Sequence, residues 1–350
     1  MRAPVRVGLL SFAHYHAEFW ARAVAGHPEA RLAGVWDDNR PRGEAAAARH
    51  GTRYFDELGA LLRECDAVGV TSETVRHADL VEEAARAGVH ILCEKPMAAT
   101  LADCDRIQQA VEASGVTFMQ NFPKRFDPVN HELVARVHRG ELGQVVLVRV
   151  RHGHGQGHQP EFVRQWFADP DLAGGGTLLD EGVHAADFLL WLLGPPERVT
   201  AVVSHRALQL RTEDTAAAIF TFPGGALAEV VTSWSFVAAE QSVEIYGLEG
   251  TALLSGVDLA SRAFARPPHL KVFRHGGTAG SWESSPAATS FGDERFHQGG
   301  PRHFIDCLRS GRRPSLGVEE GRRAVEMILA AYRAAASGRS EPVIFARGRP

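Results

Sequence analysis

Apolar runs of four to six residues recur through the first third of the chain, each followed by a segment of helical periodicity. Val5–Leu10 is the first run and reads as a buried strand. Ala17–Ala25 follows as a helix, and Arg31–Trp36 as a second strand that ends at Asp37-Asp38. Arg42–Arg49 predicts an alanine-rich helix and Tyr54–Phe55 a brief extended piece. Asp56–Arg63 predicts a helix opened by an acidic residue in capping position. Ala67–Val70 (strand), Ala78–Ala87 (helix), Val89–Cys93 (strand), Leu101–Ser114 (helix) and Thr117–Asn121 (strand) complete the series. This alternation predicts an α/β domain over residues 1–122, a doubly wound parallel sheet with helices on both faces.

Beyond Phe122 the pattern changes. Pro128–Arg139 predicts a helix leading into Val145–Val150, the first of several runs rich in β-formers. The others are Val199–Ser204, Thr215–Phe222, Ala226–Trp234, Gln241–Tyr246 and Thr251–Leu254, interrupted by one long helix at Val183–Leu193. Pro223-Gly224-Gly225 and Gly247-Leu248-Glu249-Gly250 are hairpin signals, so residues 123–350 predict an antiparallel sheet in an α+β domain. Residues 275–300, rich in Gly, Ser and Pro, predict a surface loop, and Glu319–Ser337 a closing amphipathic helix that can pack back toward the first domain.

A chain of 350 residues is too long for one ordinary core, which agrees with two domains. Its formal net charge of −4, without a dense basic run, gives no footprint for nucleic acid. No apolar stretch reaches membrane-spanning length, and the first residues read as a strand rather than a signal peptide. Cys65, Cys93, Cys104 and Cys307 form no C-x-x-C pair, so reduced thiols in a cytoplasmic protein are expected.

Two places carry chemistry. The first begins with strand, tight turn, helix and an acid closing the second strand, which is the dinucleotide-binding plan. Asp37, with Asp38 beside it, is placed to bond the adenosine ribose hydroxyls and to repel a 2′-phosphate. NAD is therefore expected as cofactor, with NADP possible because Arg40 lies close by. The turn itself departs from G-x-G-x-x-G: it reads Ser11-Phe12-Ala13-His14-Tyr15-His16. Ser11 and Ala13 are small enough for close approach of a pyrophosphate, the Ser11 hydroxyl can donate to it, and His14 can face the cofactor. The alternative is a degraded phosphate site that binds no dinucleotide. Further on, Cys93-Glu94-Lys95-Pro96 delivers a lysine to the carboxyl end of a buried strand, where ligands bind in open α/β sheets.

The second place is Gly174-Gly175-Gly176-Thr177-Leu178-Leu179-Asp180-Glu181-Gly182-Val183-His184-Ala185-Ala186-Asp187. Asp180 and His184, four apart, would share one helical face, with Asp187 continuing it. A carboxylate beside an imidazole is a general-base arrangement; the alternative is a helix start capped by Asp180.

Together, Glu94-Lys95-Pro96 and the Gly174–Asp187 segment resemble the Gfo/Idh/MocA oxidoreductases, and the resemblance covers nearly the whole chain. It extends to Asp66–Thr71 with His77, to Asn121–Phe126, to Gly247–Thr251, and to Phe304–Cys307 with Gly311–Pro314. The resemblance implies a Rossmann domain followed by a large open, mostly antiparallel sheet, with substrate held between them. It implies an NAD(P)-dependent dehydrogenase or reductase moving a hydride between nicotinamide and the hydroxyl or keto carbon of a sugar, inositol or related polyol. Lys95, Asp180 and His184 would be its catalytic set. Lys95 would stabilise charge on the reacting oxygen, His184 would take the hydroxyl proton, and Asp180 would orient the imidazole. Ser11, Phe12, Ala13, His14, Asp37, Asp38, Thr71, Ser72, His77, Glu94 and Lys95 would meet the cofactor. Thr71-Ser72-Glu73-Thr74 replaces the T-P-N-like stretch common in the family, and Glu181 is an added carboxylate that could bind a substrate hydroxyl.

Arg125, His152, His154, His158 and Trp166 are candidate substrate groups beside Lys95, Asp180 and His184, the glycine-rich loop after the first strand of the second domain suiting a polyhydroxylated ligand. His154 and His158 are also spaced for a metal, but without cysteines or a clear third ligand no metal is expected. A non-catalytic ligand-binding or regulatory protein on the same fold, or a redox-neutral enzyme with tightly held NAD, are the competing readings. The family resemblance also suggests a homodimer or homotetramer formed through the uncovered face of the second sheet.

Overall fold

Continuous apolar runs can be buried on both faces only in a parallel sheet covered by helices. The computed structural model, which describes residues 3–238, 241–257, 268–275 and 280–346, has such a sheet in its first unit. Strands β1 (Val5–Leu10), β2 (Ala30–Trp36), β3 (Ala67–Val70), β4 (His90–Cys93) and β5 (Phe118–Gln120) lie in the order β2-β1-β3-β4-β5, every pair parallel. The brief piece at Tyr54 bridges Val35 in parallel beyond β2. Helices α1 (His16–Ala25), α2 (Arg40–Arg49), α3 (Leu58–Arg63), α4 (His77–Arg86) and α5 (Leu101–Ser114) connect the strands. The chain reverses its winding between β1 and β3, and the loops at that switch point hold the ligand in folds of this type. Gly69 permits the close packing beneath it: a Cβ there would lie 2.8 Å from both Leu9 and the buried Trp20.

Two helix starts differ from expectation by two residues. α3 begins at Leu58, not Asp56, and Glu57 at its N-cap makes no side-chain capping bond. α2 begins two residues earlier than predicted because Asn39 accepts the Arg42 amide and Pro41 fits the first turn.

The second unit opens with α6 (Pro128–His138) and β6 (Val145–His152), a strand two residues longer than the apolar run. Short helices α7 (Pro170–Ala173) and α8 (Thr177–Asp180) precede α9 (Gly182–Leu193). Then come β7 (Arg198–Ser204), β8 (Thr215–Thr221), β9 (Leu227–Ser233), β10 (Gln241–Gly247), β11 (Gly250–Val257), β12 (Leu270–Arg274) and β13 (Ser281–Ser284). With β14 (Glu341–Pro342) these strands form a nine-stranded sheet, β13-β12-β11-β10-β6-β9-β8-β7-β14. All pairs are antiparallel except β6 with β9. Both predicted hairpins form, β8–β9 and β10–β11.

The surface loop expected at 275–300 is overturned among the described residues, with 276–279 outside them. β13 pairs with β12, and α10 (Arg295–Ser310) starts well inside the segment. Pro301 sits within α10, whose Phe304 and Ile305 are buried beside Val7, Leu9 and Trp20 of the first unit. The first unit therefore comprises residues 1–123 and 297–322, and the second 124–296 and 323–350. Helix α11 (Val318–Ser337) begins in the first and continues in the second. Among the described residues no helix is long and apolar enough to cross a membrane.

Candidate active site

In the first unit the turn after β1 closes on itself. Ser11 takes φ +73°, the left-handed conformation that glycine would otherwise supply. Its amide donates to Trp36 O (2.7 Å), its carbonyl accepts from Thr71 Oγ1 (2.7 Å), and its Oγ accepts from Ala13 N (3.1 Å). Phe12 N donates to Asp37 Oδ2 at 2.8 Å and His14 N to Thr71 O at 3.0 Å. What the turn offers a pyrophosphate is thus small side chains and the N-terminal end of α1, rather than a row of idle amides.

Asp37 is buried, and Arg42 grips it with Nε on Oδ2 and Nη2 on Oδ1, both 2.8 Å. Arg42 also reaches Ser11 Oγ (3.0 Å), Asp38 (3.2 Å) and Glu73 (3.3 Å), while Arg76 pairs with Asp38. The arginine expected near the ribose, Arg40, instead pairs with Glu44 and Asp56 at the surface. Arg42 is the residue that sequence spacing missed. Small Ser11 and Ala13, the start of α1, and a carboxylate–arginine pair at the end of β2 fit an adenine dinucleotide.

At the carboxyl end of β4, Glu94 is fully buried and bound from three sides. His16 Nδ1 pairs with Oε1, Asn121 Nδ2 donates to the same oxygen (3.4 Å), and the Lys95 amide donates to Oε2 (2.5 Å). Burial, against the opposing charge of Lys95, pushes its carboxyl up to about 7. Lys95 itself is buried. The Lys95–Pro96 peptide is cis, with Pro96 O accepting from His77 Nδ1 at 2.9 Å and Ser72 O lying 3.2 Å from His77 Nε2. Burial first of all pushes the His77 imidazole down. Ser72 and His77 therefore brace the turn that carries Lys95.

In the second unit the segment expected to bear Asp180 and His184 on one helix is broken. Asp180 ends α8, Glu181 lies between, and His184 sits in the first turn of α9. The start of α8 is fixed from far along the chain. Glu213 accepts Thr177 N through its backbone oxygen (3.0 Å) and Leu178 N through Oε1 (2.9 Å), while Tyr332 donates to Oε1 (2.6 Å). Gly176 is required there, since a Cβ would lie 2.2 Å from the Glu213 carbonyl oxygen.

The break changes the partners. Asp180 Oδ2 accepts from the indole of Trp234 at 3.0 Å. Glu181, buried, lies 3.2 Å from His152 Nε2 and 3.4 Å from His154 Nε2. The His152 ring is 4.8 Å from that of His184. Asp187, expected to extend the Asp180 face, is held by a two-bond fork from Arg125 (2.9 Å each), and the guanidinium lies 4.8 Å above Trp191. Arg125 is thereby committed to bracing α9. Trp166 stacks on Phe167 and packs against Phe162 and Trp234, behind Asp180. His158 is exposed and turns to Ser235 O at 3.3 Å.

Lys124, not among the candidates, is buried 3.4 Å from Gln241 Oε1, and burial lowers its amine to about 8 against the pull of Asp127, Glu181 and Asp187. Two groups among the described residues have donor atoms within 4.8 Å of one another: His14, His16 and Glu94 in the first unit, and His154, Asp180 and Glu181 in the second.

Residues 5–122 match the model of the oxidoreductase family with NAD-binding Rossmann fold, and residues 131–253 match the GFO/IDH/MocA C-terminal domain. D-apiose dehydrogenase of Paraburkholderia graminis is 28% identical over 97% of this chain and 88% of its own. The scyllo-inositol 2-dehydrogenase (NAD(+)) of Bacillus subtilis is 27% identical over 88% of this chain and 86% of its own. The crystal structure of aldose-aldose oxidoreductase from Caulobacter crescentus, complexed with glycerol, superposes with a TM-score of 0.80 at 26% identity, covering 97% of this chain and 99% of that one. The two fold units, the dinucleotide-type turn and these matches agree: the chain belongs to the Gfo/Idh/MocA oxidoreductases, as an NAD-binding dehydrogenase or reductase of the sugar and polyol type.

Proposed function

We propose that this enzyme interconverts a hydroxyl-bearing carbon and a keto carbon of a sugar, inositol or related polyol. Bound NAD(P) supplies the hydride acceptor or donor. On this reading Lys95 bonds the reacting oxygen and stabilises the negative charge that develops on it. His184 takes the hydroxyl proton in the oxidative direction, and Asp180 helps orient the imidazole. Ser11, Ala13, His14, Asp37 and Arg42 hold the adenine half of the cofactor, with Thr71, Ser72, His77 and Glu94 shaping the turn around Lys95.

The observation that carries the reading is the gathering of His152, His154, Glu181 and His184, all buried, around the break that presents Asp180. A core has no use for such a set, whereas a ligand with several hydroxyls does. Lys95→Ala and His184→Ala should each lower turnover at least about a hundredfold while NAD(H) affinity, measured by calorimetry, stays within a few-fold. Turnover preserved in either variant would refute that assignment.

The second sheet's exposed positions include Val146, Val202, Ile219 and Leu227. They support a homodimer or homotetramer formed through that face, which light scattering on the purified protein would test.

A further inference from the structure

The His154–Asp180–Glu181 cluster, with His152 beside it, has the shape of a coordination site. Val148, Val150 and His152 lie on the buried face of β6, and His154 follows at the same parity past the strand end. The His154 amide is pinned to Ser233 O at 3.0 Å, so both imidazoles point the same way for backbone reasons. Gly153 between them has no room for a side chain, as a Cβ would lie 2.3 Å from Ser233 O. Glu181 meets both rings because the break between α8 and α9 turns it away from the helical path.

The distances fit an ion better than a hydrogen-bonded pair. Around a centre with metal–donor bonds of about 2.0–2.1 Å, tetrahedral geometry sets neighbouring donors about 3.3–3.4 Å apart. Glu181 Oε1 stands 3.4 Å from His154 Nε2, and the donor atoms of His154, Asp180 and Glu181 lie within 4.8 Å of one another, while His152 Nε2 meets the other oxygen, Oε2, at 3.2 Å. Glu181 Oε2 is buried and, among the described residues, receives no hydrogen bond of acceptable geometry. The cluster in the first unit differs on this point: both Glu94 oxygens take hydrogen bonds from the protein.

We propose that His154, Asp180 and Glu181 bind a divalent first-row transition metal ion. An imidazole with two carboxylates and no thiolate suits Zn²⁺, Mn²⁺ or Fe²⁺ rather than Mg²⁺ or Cu⁺. The partners of His154 that sequence spacing lacked are Asp180 and Glu181 rather than His158. The ion's remaining position faces a ligand oxygen, and the identification of that oxygen with a substrate hydroxyl or carbonyl rests on the function proposed above.

The site is tested without turnover. The full-length protein, stripped with chelator, is titrated with Co²⁺ and followed by visible absorption. The expected result is saturation at one ion per chain, with Zn²⁺ displacing it. Glu181→Gln and His154→Ala should weaken Co²⁺ at least about tenfold, whereas His158→Ala should bind as wild type. Because the first two variants remove buried groups, X-ray absorption of the Zn²⁺-loaded wild-type protein supplies a mutation-free measurement and should show an imidazole ligand. Absence of stoichiometric binding, wild-type affinity in both variants, or no imidazole on the ion would overturn the site. NAD(H) calorimetry on the same samples separates the outcomes. A protein that binds Co²⁺ but no NAD(H) contradicts the dehydrogenase function alone, and one that binds NAD(H) but no Co²⁺ contradicts the metal site alone.

Discussion

Glu94 should make the stability of this protein depend on pH in a direction opposite to the usual carboxylate. Its folded-state pKa stands at about 7 against an ordinary 4.5. Between those values the native state holds a proton that the unfolded state has released, so stability falls as pH rises through the window and the loss is complete above 7. A shift of that size corresponds to about 3.4 kcal/mol, of which roughly 2.5 kcal/mol falls between pH 5 and pH 8. The groups facing the carboxyl are His16 from α1, His77 from α4, Asn121 after β5 and Lys95. Glu94→Gln mimics the protonated acid in shape and in carrying a donor on one side, and cannot ionise. Urea unfolding of both proteins at pH 5 and pH 8 isolates the effect, since groups common to both cancel unless they couple to this one. The variant should gain about 2.5 kcal/mol relative to wild type on going from pH 5 to pH 8. A difference constant to within about 0.5 kcal/mol would refute the claim that burial, rather than pairing with His16, governs this carboxyl.

Three further outcomes follow from particular contacts. Arg42→Ala removes the cation beside Asp37 and Asp38, so the ratio of NADP to NAD affinity should fall by about tenfold or more, measured by calorimetry; an unchanged ratio would place Arg42 away from the ribose. Gly176→Ala drives a Cβ to 2.2 Å from the Glu213 carbonyl oxygen and should shift α8, lowering kcat at least about tenfold while leaving NAD(H) affinity unchanged. Asp187→Ala strips the partner from Arg125 and should cost about 3 kcal/mol in urea unfolding, because the guanidinium is largely shielded from water.

The parts legible in the sequence were those where one period dominates. β1, β3, β4 and β5 are buried on both faces, so each reads as an uninterrupted apolar run whatever its neighbours do. α10 was not legible, because Gly299, Gly300 and Pro301 look like loop chemistry. Its helical stripe becomes visible only with Phe304 and Ile305 seated beside β1 and α1. At the site, local spacing misled in two places. Asp180 and His184 are four apart in number, but Glu213 and Tyr332 anchor α8 from distant segments, and no local rule contains them. Arg40 is nearer than Arg42 to Asp37 in sequence, yet only Arg42 lies on the face of α2 that looks back over the Asn39 cap. The His152–His154 pair did leave a signal: the buried parity of Val148 and Val150 continues through both.

The replaced glycine fingerprint is best understood through Ser11. A non-glycine residue in the left-handed region costs on the order of 1 kcal/mol, and glycine at this position would avoid that cost. Ser11 offsets it with two hydrogen bonds that glycine could not make, from Ala13 N at 3.1 Å and from Arg42 Nη2 at 3.0 Å. The second of these joins the phosphate turn to the arginine that grips Asp37, and Asp37 in turn accepts the amide of Phe12. The turn and the Asp37 carboxylate are therefore one bonded ring rather than two independent features. A degraded site loses such bonds; this one has exchanged conformational ease for a fixed geometry. That exchange favours a turn shaped before the cofactor arrives, with less ordering left to be done on binding.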